Sequence, residues 1–219
     1  MFKIACIASI IEKQRDLTVE QILKQTIQPD KVHFYIDDKP VTGLENRRVR
    51  IAENQTKLQA IVERMTDIDL VWQIEGDGIL PHNALERLIT HYYDHPAIYS
   101  GVEVGRHGLY CLGAWHIARD RQSFQSVDYR LHGLQRVDAM GLYCFLMAKE
   151  PYLYAKPSWN NHRWGPDVNF FLSSPVDKYV DMDLHVGHQI RGGIIMPTDA
   201  STCNARFWKE NKEWRFEQL

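Results

Sequence analysis

The first 95 residues alternate between short apolar runs and stretches with helical spacing, which limits the folds open to the chain. The run at 2–10 (FKIACIASI) is mostly apolar and rich in isoleucine, which is typical of a strand buried on both faces. The segments at 31–36 and 70–74 have the same character, whereas apolar residues at 18–25 and 81–93 recur at helical intervals. Strands that alternate with helices predict an α/β fold with a mostly parallel central sheet and helices on both faces.

The remaining elements are predicted from the same two periodicities. In the first half we expect a short strand at 48–52, followed by a helix at 56–65 with an apolar stripe. The second half is less regular and predicts a short helix at 167–172. Further strands are predicted there at 97–104, 114–117, 137–147 and 179–182.

Length and composition indicate one folded domain over residues 1–219. The chain is 44% hydrophobic and 25% charged, which is an ordinary globular composition. No internal repeat, low-complexity stretch or linker rich in Pro, Gly or Ser divides it. A chain of this length can bury about 70% of its unfolded surface, enough for a full hydrophobic core.

Charge and cysteine usage narrow the cellular setting. The 26 basic and 28 acidic side chains give a net charge of −2, without the basic excess typical of nucleic-acid or anionic-membrane binding. No apolar run reaches the roughly 20 residues of a transmembrane helix, and the N-terminus lacks a signal-peptide layout. The four cysteines have no zinc-type spacing, and Cys6 and Cys144 are expected in the core. A cytoplasmic protein without a transmembrane segment is expected.

Acidic residues follow two of the predicted strands. Asp37 and Asp38 come directly after the strand at 31–36, and Glu75 and Asp77 follow the strand at 70–74. Ligands of open α/β sheets bind beyond the carboxyl ends of the strands. Two carboxylates in one turn can converge on Mg²⁺ or Mn²⁺, which are typically shared with substrate phosphates. The pattern therefore predicts a metal and phosphate site, and the alternative for each pair is a turn without a ligand.

Four segments of the chain occur in the order found in a known protein family. They are IASIIEKQRDLTVEQILKQTIQPDKVHFYIDD, VWQIEGDGILPHNALERLI, VDAMGLYCFLMAKE and WGPDVNFFLSSPVDKYVDMDLHVGHQI. Together, over residues 2–190, they resemble the family 2 glycosyltransferases of the GT-A fold. The resemblance implies a single GT-A domain with a Rossmann-like nucleotide-binding half at 1–95, an acceptor and catalytic half at 96–195 and a C-terminal tail at 196–219.

The resemblance also implies a cofactor, a donor substrate and their binding residues. Mn²⁺ or Mg²⁺ would be held by Asp77, Glu75 and His188, with Glu75 replacing the usual aspartate and His185 as the alternative histidine. An imidazole ligand suits Mn²⁺ better than Mg²⁺. The donor would be a nucleotide-diphosphate sugar, with a UDP-sugar as the first expectation. The residues expected to contact it are Ala8, Ser9, Asp37, Asp38, Lys57, Glu75 and Gly76.

The acceptor side is expected around Asp167. By the resemblance, Asp167 is the general base that takes the proton of the acceptor hydroxyl, so that the sugar is transferred with inversion; its alternative role is a helix-capping acid. Aromatic, amide and basic side chains precede it and are expected to bind a glycan or small-molecule acceptor. The candidate acceptor-binding residues are Trp159, His162, Arg163 and Trp164.

Two other clusters mix aromatic or apolar residues with basic ones. They lie at 47–50 (RRVR) and in the tail, at 206–209 (RFWK) and 214–216 (WRF). Such mixtures can bind nucleic acid by stacking and phosphate contacts; in the tail the alternative is that the aromatic residues anchor it to the core. Small bacteriophage GT-A enzymes glycosylate hydroxymethylated pyrimidines in DNA. Modified DNA is thus an alternative acceptor, in which case the protein would act in the host cell cytoplasm.

Two alternative functions use the same carboxylates. A nucleotidyltransferase also pairs an acidic metal site with an α/β sheet, but it usually has a glycine-rich phosphate loop after the first strand. Residues 8–15 (ASIIEKQR) contain no glycine. A non-catalytic module that binds nucleotide or glycan would keep the fold and would never release free diphosphate. The sequence favours a metal-dependent glycosyltransferase.

Overall fold

The computed structural model describes residues 2–40, 42–104, 112–118, 123–158, 165–190, 193–197, 205–210 and 213–218. The strands are β1 (Ile4–Ile10), β2 (Lys31–Ile36), β3 (Leu70–Glu75), β4 (Gly78–Ile79), β5 (Ile98–Val102), β6 (Ala114–Ile117), β7 (Ser123–Ser126), β8 (Leu134–Arg136), β9 (Ala139–Met140), β10 (Cys144–Ala148), β11 (Lys178–His185), β12 (Gly187–Ile190), β13 (Gly193–Ile195), β14 (Ala205–Glu210) and β15 (Glu213–Gln218). The α-helices are α1 (Arg15–Leu23), α2 (Leu44–Glu63), α3 (Ala84–Asp94), α4 (Lys149–Tyr154) and α5 (Pro166–Ser173).

Within these ranges, seven strands form a central sheet in the order β2-β1-β3-β10-β5-β11-β8. Strand β1 is parallel to both β2 and β3, and β5 is parallel to β11. Strand β10 runs antiparallel to both β3 and β5, and β8 runs antiparallel to β11. Five of the seven strands described here therefore point in one direction. The mixed α/β architecture with a mostly parallel central sheet is as predicted.

Helices cover both faces of the central sheet, and alternate side chains of β1 pack against the two helical layers. Ala5 and Ile7 pack with the helices α2, α4 and α5, while Cys6 and Ala8 pack on the other face with α1 and α3. A strand between two helical layers has to be apolar at every position. Burial raises the pKa of the Cys6 thiol, which, like the buried Cys144, is a free cysteine of the core, as predicted.

The strand predicted at 48–52 is wrong, because these residues belong to the 20-residue helix α2. Val49 and Ile51 alternate as in a strand, yet Val49 is exposed. The buried side of the helix runs through Gln55, Leu58 and Val62, at helical spacing after Ile51. A polar glutamine within this apolar stripe concealed the helical period.

The strand predicted at 137–147 is two strands in different sheets. Strand β9 pairs with β6, whereas β10 enters the central sheet, and the chain bends between them. A β-carbon at Gly141 would collide with the Tyr143 ring, so the bend requires a glycine. The predicted elements at 114–117, 167–172 and 179–182 correspond to β6, α5 and β11.

Two smaller sheets complete the described structure. The small sheet has the order β13-β12-β4, and the tail sheet has the order β15-β14-β7-β6-β9. Backbone pairing of β14 with β7 joins the C-terminal hairpin to the body of the protein. The tail is therefore joined to the rest of the protein by β-sheet pairing, and the role of its aromatic side chains stays a prediction. Across the part of the chain that the structure describes, no helix has the length and apolar character needed to cross a membrane.

Candidate functional site

The carboxyl end of β3 carries the acidic turn predicted from the sequence. Glu75 ends the strand, Gly76 and Asp77 form the turn, and β4 begins directly afterwards. A β-carbon at Gly76 would come within 2.7 Å of the Ile10 side chain and 2.8 Å of Gln14 Oε1. The turn is therefore packed tightly against the end of β1, and this close approach requires glycine.

The small sheet brings a distant segment to this turn. Strand β12 runs antiparallel to β4, with His188 opposite Gly78. The Gln189 amide donates a hydrogen bond to the Asp77 carbonyl oxygen at 2.8 Å. Backbone pairing thus fixes His188 beside the acidic turn, although the two lie in opposite halves of the chain.

Glu75, Asp77 and His188 converge on one point, as predicted for the metal ligands. One ligand atom of each residue lies within 4.8 Å of those of the other two, and His188 Nε2 is 3.4 Å from Asp77 Oδ2. Two ligand atoms about 2.1 Å from a shared ion lie roughly 3.0 Å apart at octahedral angles and about 3.4 Å apart at tetrahedral angles, so the spacing of His188 and Asp77 suits coordination. His185 instead contacts the Met182 carbonyl oxygen at 3.0 Å and is outside this group.

A second carboxylate lies behind the histidine. Glu103 Oε1 contacts His188 Nδ1, and the side chains of Glu103 and His188 are only 4% and 8% exposed. Sequence reasoning missed Glu103. The available signal was a single acid in the apolar run at 97–104, because a buried carboxylate is costly unless it is paired.

A cavity of about 210 Å³ opens beside the triad. Its wall combines the carboxyl end of β1, the part of α2 from Arg47 to Leu58 and the turn after β3. Asn54 of α2 donates a hydrogen bond to Ser9 Oγ at 3.0 Å and so ties two of these walls together. The lining residues outside the triad that carry polar side chains are Ser9, Gln14, Arg47, Asn54, Gln55 and Gln73.

A buried hydrogen-bond network includes two of the residues that line the cavity, Gln55 and Gln73. The Gln55 and Gln73 side-chain amides exchange hydrogen bonds of 2.9 Å. The Tyr152 hydroxyl donates to Gln73 Oε1 at 2.8 Å, and burial raises its pKa well above the ordinary value, so it remains protonated. Since buried polar groups with partners are rigid and specific, this network fixes the helix α2 against β3.

The acidic pair after β2 is engaged in contacts within the protein. Both oxygens of Asp37 accept hydrogen bonds from Arg50, whose guanidinium lowers the pKa of that carboxyl. Asp38 Oδ1 accepts a hydrogen bond from the Glu12 amide at 2.8 Å. Among the described residues, neither aspartate lines the cavity. Arg50 is paired with Asp37, whereas Arg47 lines the cavity. The run at 47–50 is therefore not one uniform basic patch.

Two further residues predicted to contact the donor lie elsewhere. Ala8 is completely buried in the core on the opposite face from the cavity, because adjacent strand residues point to opposite sides. Lys57 is exposed on α2 and is not among the described residues that line the cavity. Arg47, which lies nearer the beginning of the same helix, supplies a cation at the cavity instead.

Asp167 lies in the first turn of α5, where the helix begins at Pro166. Its carboxylate bends back over Gly165, since a β-carbon there would collide with it. It is absent from the described lining of the cavity. The predicted acceptor residues Trp159, His162, Arg163 and Trp164 lie outside the described residues, so their role stays a prediction.

Comparison with known proteins gives a fold but no family. No protein family model matches the chain, and no curated protein matches it. Among solved structures, A197 from STIV is similar, with a TM-score of 0.52 and 14% sequence identity over 86% of each chain. At this identity the likeness concerns the fold alone, because one fold hosts many activities.

Proposed function

We propose that the protein is a metal-dependent glycosyltransferase of the GT-A fold that uses a nucleotide-diphosphate sugar. The observation that carries the proposal is the convergence of Glu75, Asp77 and His188 at the carboxyl end of β3, on the rim of a polar cavity. Ligands of open α/β sheets bind at such strand ends. The sequence resemblance supports the reaction class, and the polar cavity beside the three residues supports the proposed position of the donor.

The donor set fits Mn²⁺ better than Mg²⁺. Two carboxylates and one imidazole suit Mn²⁺ and related ions, whereas Mg²⁺ prefers oxygen ligands alone. When bound, the ion neutralises charge on the departing diphosphate. Asp77 and Glu75 would hold it from the turn, and His188 would hold it from β12.

The donor nucleotide would occupy the cavity between α2 and the strand ends. Ser9, Gln14 and Asn54 offer hydroxyl and amide groups to a base or ribose, and Arg47 offers a guanidinium to the diphosphate. Asp37 contributes indirectly in this proposal, because its ion pair with Arg50 fixes the first half of α2 beside the cavity. A UDP-sugar remains the first donor to test.

Asp167 is proposed as the general base for the acceptor hydroxyl, with inversion at the sugar. Its support is its position at the beginning of a helix directly after the predicted acceptor residues, together with the sequence resemblance. A carboxylate in that role accepts the hydroxyl proton as the oxygen attacks the anomeric carbon. Glycans, small hydroxyl compounds and hydroxymethylated DNA are the acceptors to screen.

Nucleotide binding is the first test of the proposed function. We expect one of UDP, GDP, CDP, ADP and dTDP to raise the melting temperature, and to do so only with Mn²⁺ present. A ligand at 100 times its Kd adds about 2.7 kcal/mol of apparent stability, which a thermal-shift measurement detects readily. No shift with any diphosphate would contradict a donor site. Binding of a nucleotide without release of the nucleoside diphosphate from the matching nucleotide sugar would instead favour the non-catalytic module.

Replacing Arg47 by alanine should weaken binding of that diphosphate about tenfold, because a hydrogen bond to a charged group contributes about 1.5 kcal/mol. The measurement is calorimetric titration in the presence of Mn²⁺. Arg64→Ala is the matched control, since Arg64 is exposed at the other end of the same helix. Equal affinities for the wild-type protein and the Arg47 variant would remove Arg47 from the phosphate site.

A further inference from the structure

Glu103 is a buried acid that contacts His188 and has no part in the proposed reaction. It follows β5 in an apolar stretch, and its residue is only 3% exposed. Its backbone carbonyl oxygen accepts a hydrogen bond from the Gly113 amide at 2.8 Å, so the residue is fixed from its backbone as well. Its carboxylate faces His188 Nδ1.

The two nitrogens of the His188 ring therefore face different groups. Nδ1 meets the Glu103 carboxylate, whereas Nε2 points to Asp77 Oδ2 at 3.4 Å. A carboxylate oxygen that faces Nδ1 as a hydrogen-bond acceptor places the ring proton on Nδ1. The lone pair of the neutral ring is then on Nε2, on the side of Asp77 and Glu75.

We propose that Glu103 is a positioning residue that fixes the ring orientation and tautomer of His188, so that Nε2 is the metal-binding atom. This inference rests on the metal site of the proposed function. Histidine ligands commonly donate their second ring N–H to a carboxylate, and loss of that partner typically lowers metal affinity about 10- to 100-fold. Glu103 itself stays outside the group of ligands, behind the histidine.

The chain offers a matched control for a carboxylate paired with a histidine. Asp183 of β11 contacts His132 Nδ1 at 3.0 Å, and the side chains of Asp183 and His132 are 42% and 87% exposed. Neither residue belongs to the described lining of the cavity. Asp183→Asn therefore removes a similar pair without touching the proposed metal site.

The first experiment is calorimetric titration of Mn²⁺ alone into the full chain. Glu103→Leu should lower the Mn²⁺ affinity about 10- to 100-fold. Glu103→Gln should lower it less, because the glutamine amide oxygen can still accept a hydrogen bond from His188 Nδ1. Asp183→Asn should leave the Mn²⁺ affinity unchanged. In a His188→Ala background, Glu103→Leu should have no further effect, because Glu103 acts through that ring. A purely structural role would lower the melting temperature and leave Mn²⁺ affinity unchanged, and this result would overturn the inference.

A second measurement needs no variant at residue 103. Nitrogen-15 NMR of the Zn²⁺-loaded wild-type protein should show His188 bound through Nε2 and protonated on Nδ1. Coordination through Nδ1 would overturn the inference even if the metal binds. Absence of any metal binding by the wild-type protein would overturn the proposed metal site together with this inference, so the two failures are distinguishable.

Discussion

Asp77→Asn is expected to reduce sugar transfer by about 10³-fold. A metal ion at a departing diphosphate contributes several kcal/mol to the reaction, and each 1.36 kcal/mol corresponds to a factor of ten in rate. The turn after β3 and the Gln189 amide fix Asp77 beside Glu75 and His188, the other two proposed ligands. Steady-state rates with saturating donor, measured over a range of Mn²⁺ concentrations, test the expectation.

The fold should survive this substitution, because the Asp77 side chain lies in a turn with 20% of its surface exposed and the amide keeps its size. Asp67→Asn is the control: Asp67 pairs with Lys31 at the surface and is outside the described cavity lining. Its rate should match that of the wild-type protein. Unchanged turnover for Asp77→Asn would remove this residue from the reaction.

Arg87→Met should lower the free energy of unfolding by about 3 kcal/mol. Arg87 of α3 forms hydrogen bonds of 2.7 to 3.0 Å with both oxygens of Asp181, which is only 1% exposed. Removal of one partner of a buried pair costs about 3–5 kcal/mol because the other charge stays buried. His91 remains as a partner at 2.9 Å and Arg87 is itself partly exposed, which places the loss at the low end.

The matched control for this ion pair is Arg136→Met. Arg136 Nη2 lies 2.6 Å from Asp177 Oδ1, but the two side chains are 71% and 44% exposed. Exposed pairs contribute about 0–1 kcal/mol. Urea unfolding should show a clearly larger loss of unfolding free energy for Arg87→Met than for Arg136→Met. Similar losses for the two variants would mean that the burial of Asp181 does not make its ion pair stronger than an exposed one.

The sequence predicted those features that depend on short-range patterns. The strands β1 and β3 and the helix α3 were predictable because their apolar periodicities are clear. The acidic turn at Glu75 and Asp77 followed from its position after a strand. His188 was assigned by resemblance, since no local pattern distinguishes it from the chain's other histidines.

The remaining features depend on contacts between distant parts of the chain. The contact of Asp37 could not be read from its own segment, because its partner Arg50 lies on a helix in which residues 48–52 were predicted as a strand. Arg47 was noted only as part of the basic cluster at 47–50, because its access to the cavity depends on the course of α2. Glu103 was visible only as an acid in an apolar run, and its pairing with His188 requires the three-dimensional arrangement of β5 and β12.

The pairing of β4 with β12 has a consequence for folding. His188 reaches Asp77 only after a loop of more than a hundred residues has closed, and the entropy cost of closing such a loop has to be met by the rest of the fold. Partly folded chains would thus hold the two carboxylates without the imidazole. Tight Mn²⁺ binding would then report that the whole domain has assembled, and the ion would stabilise the finished structure over its intermediates.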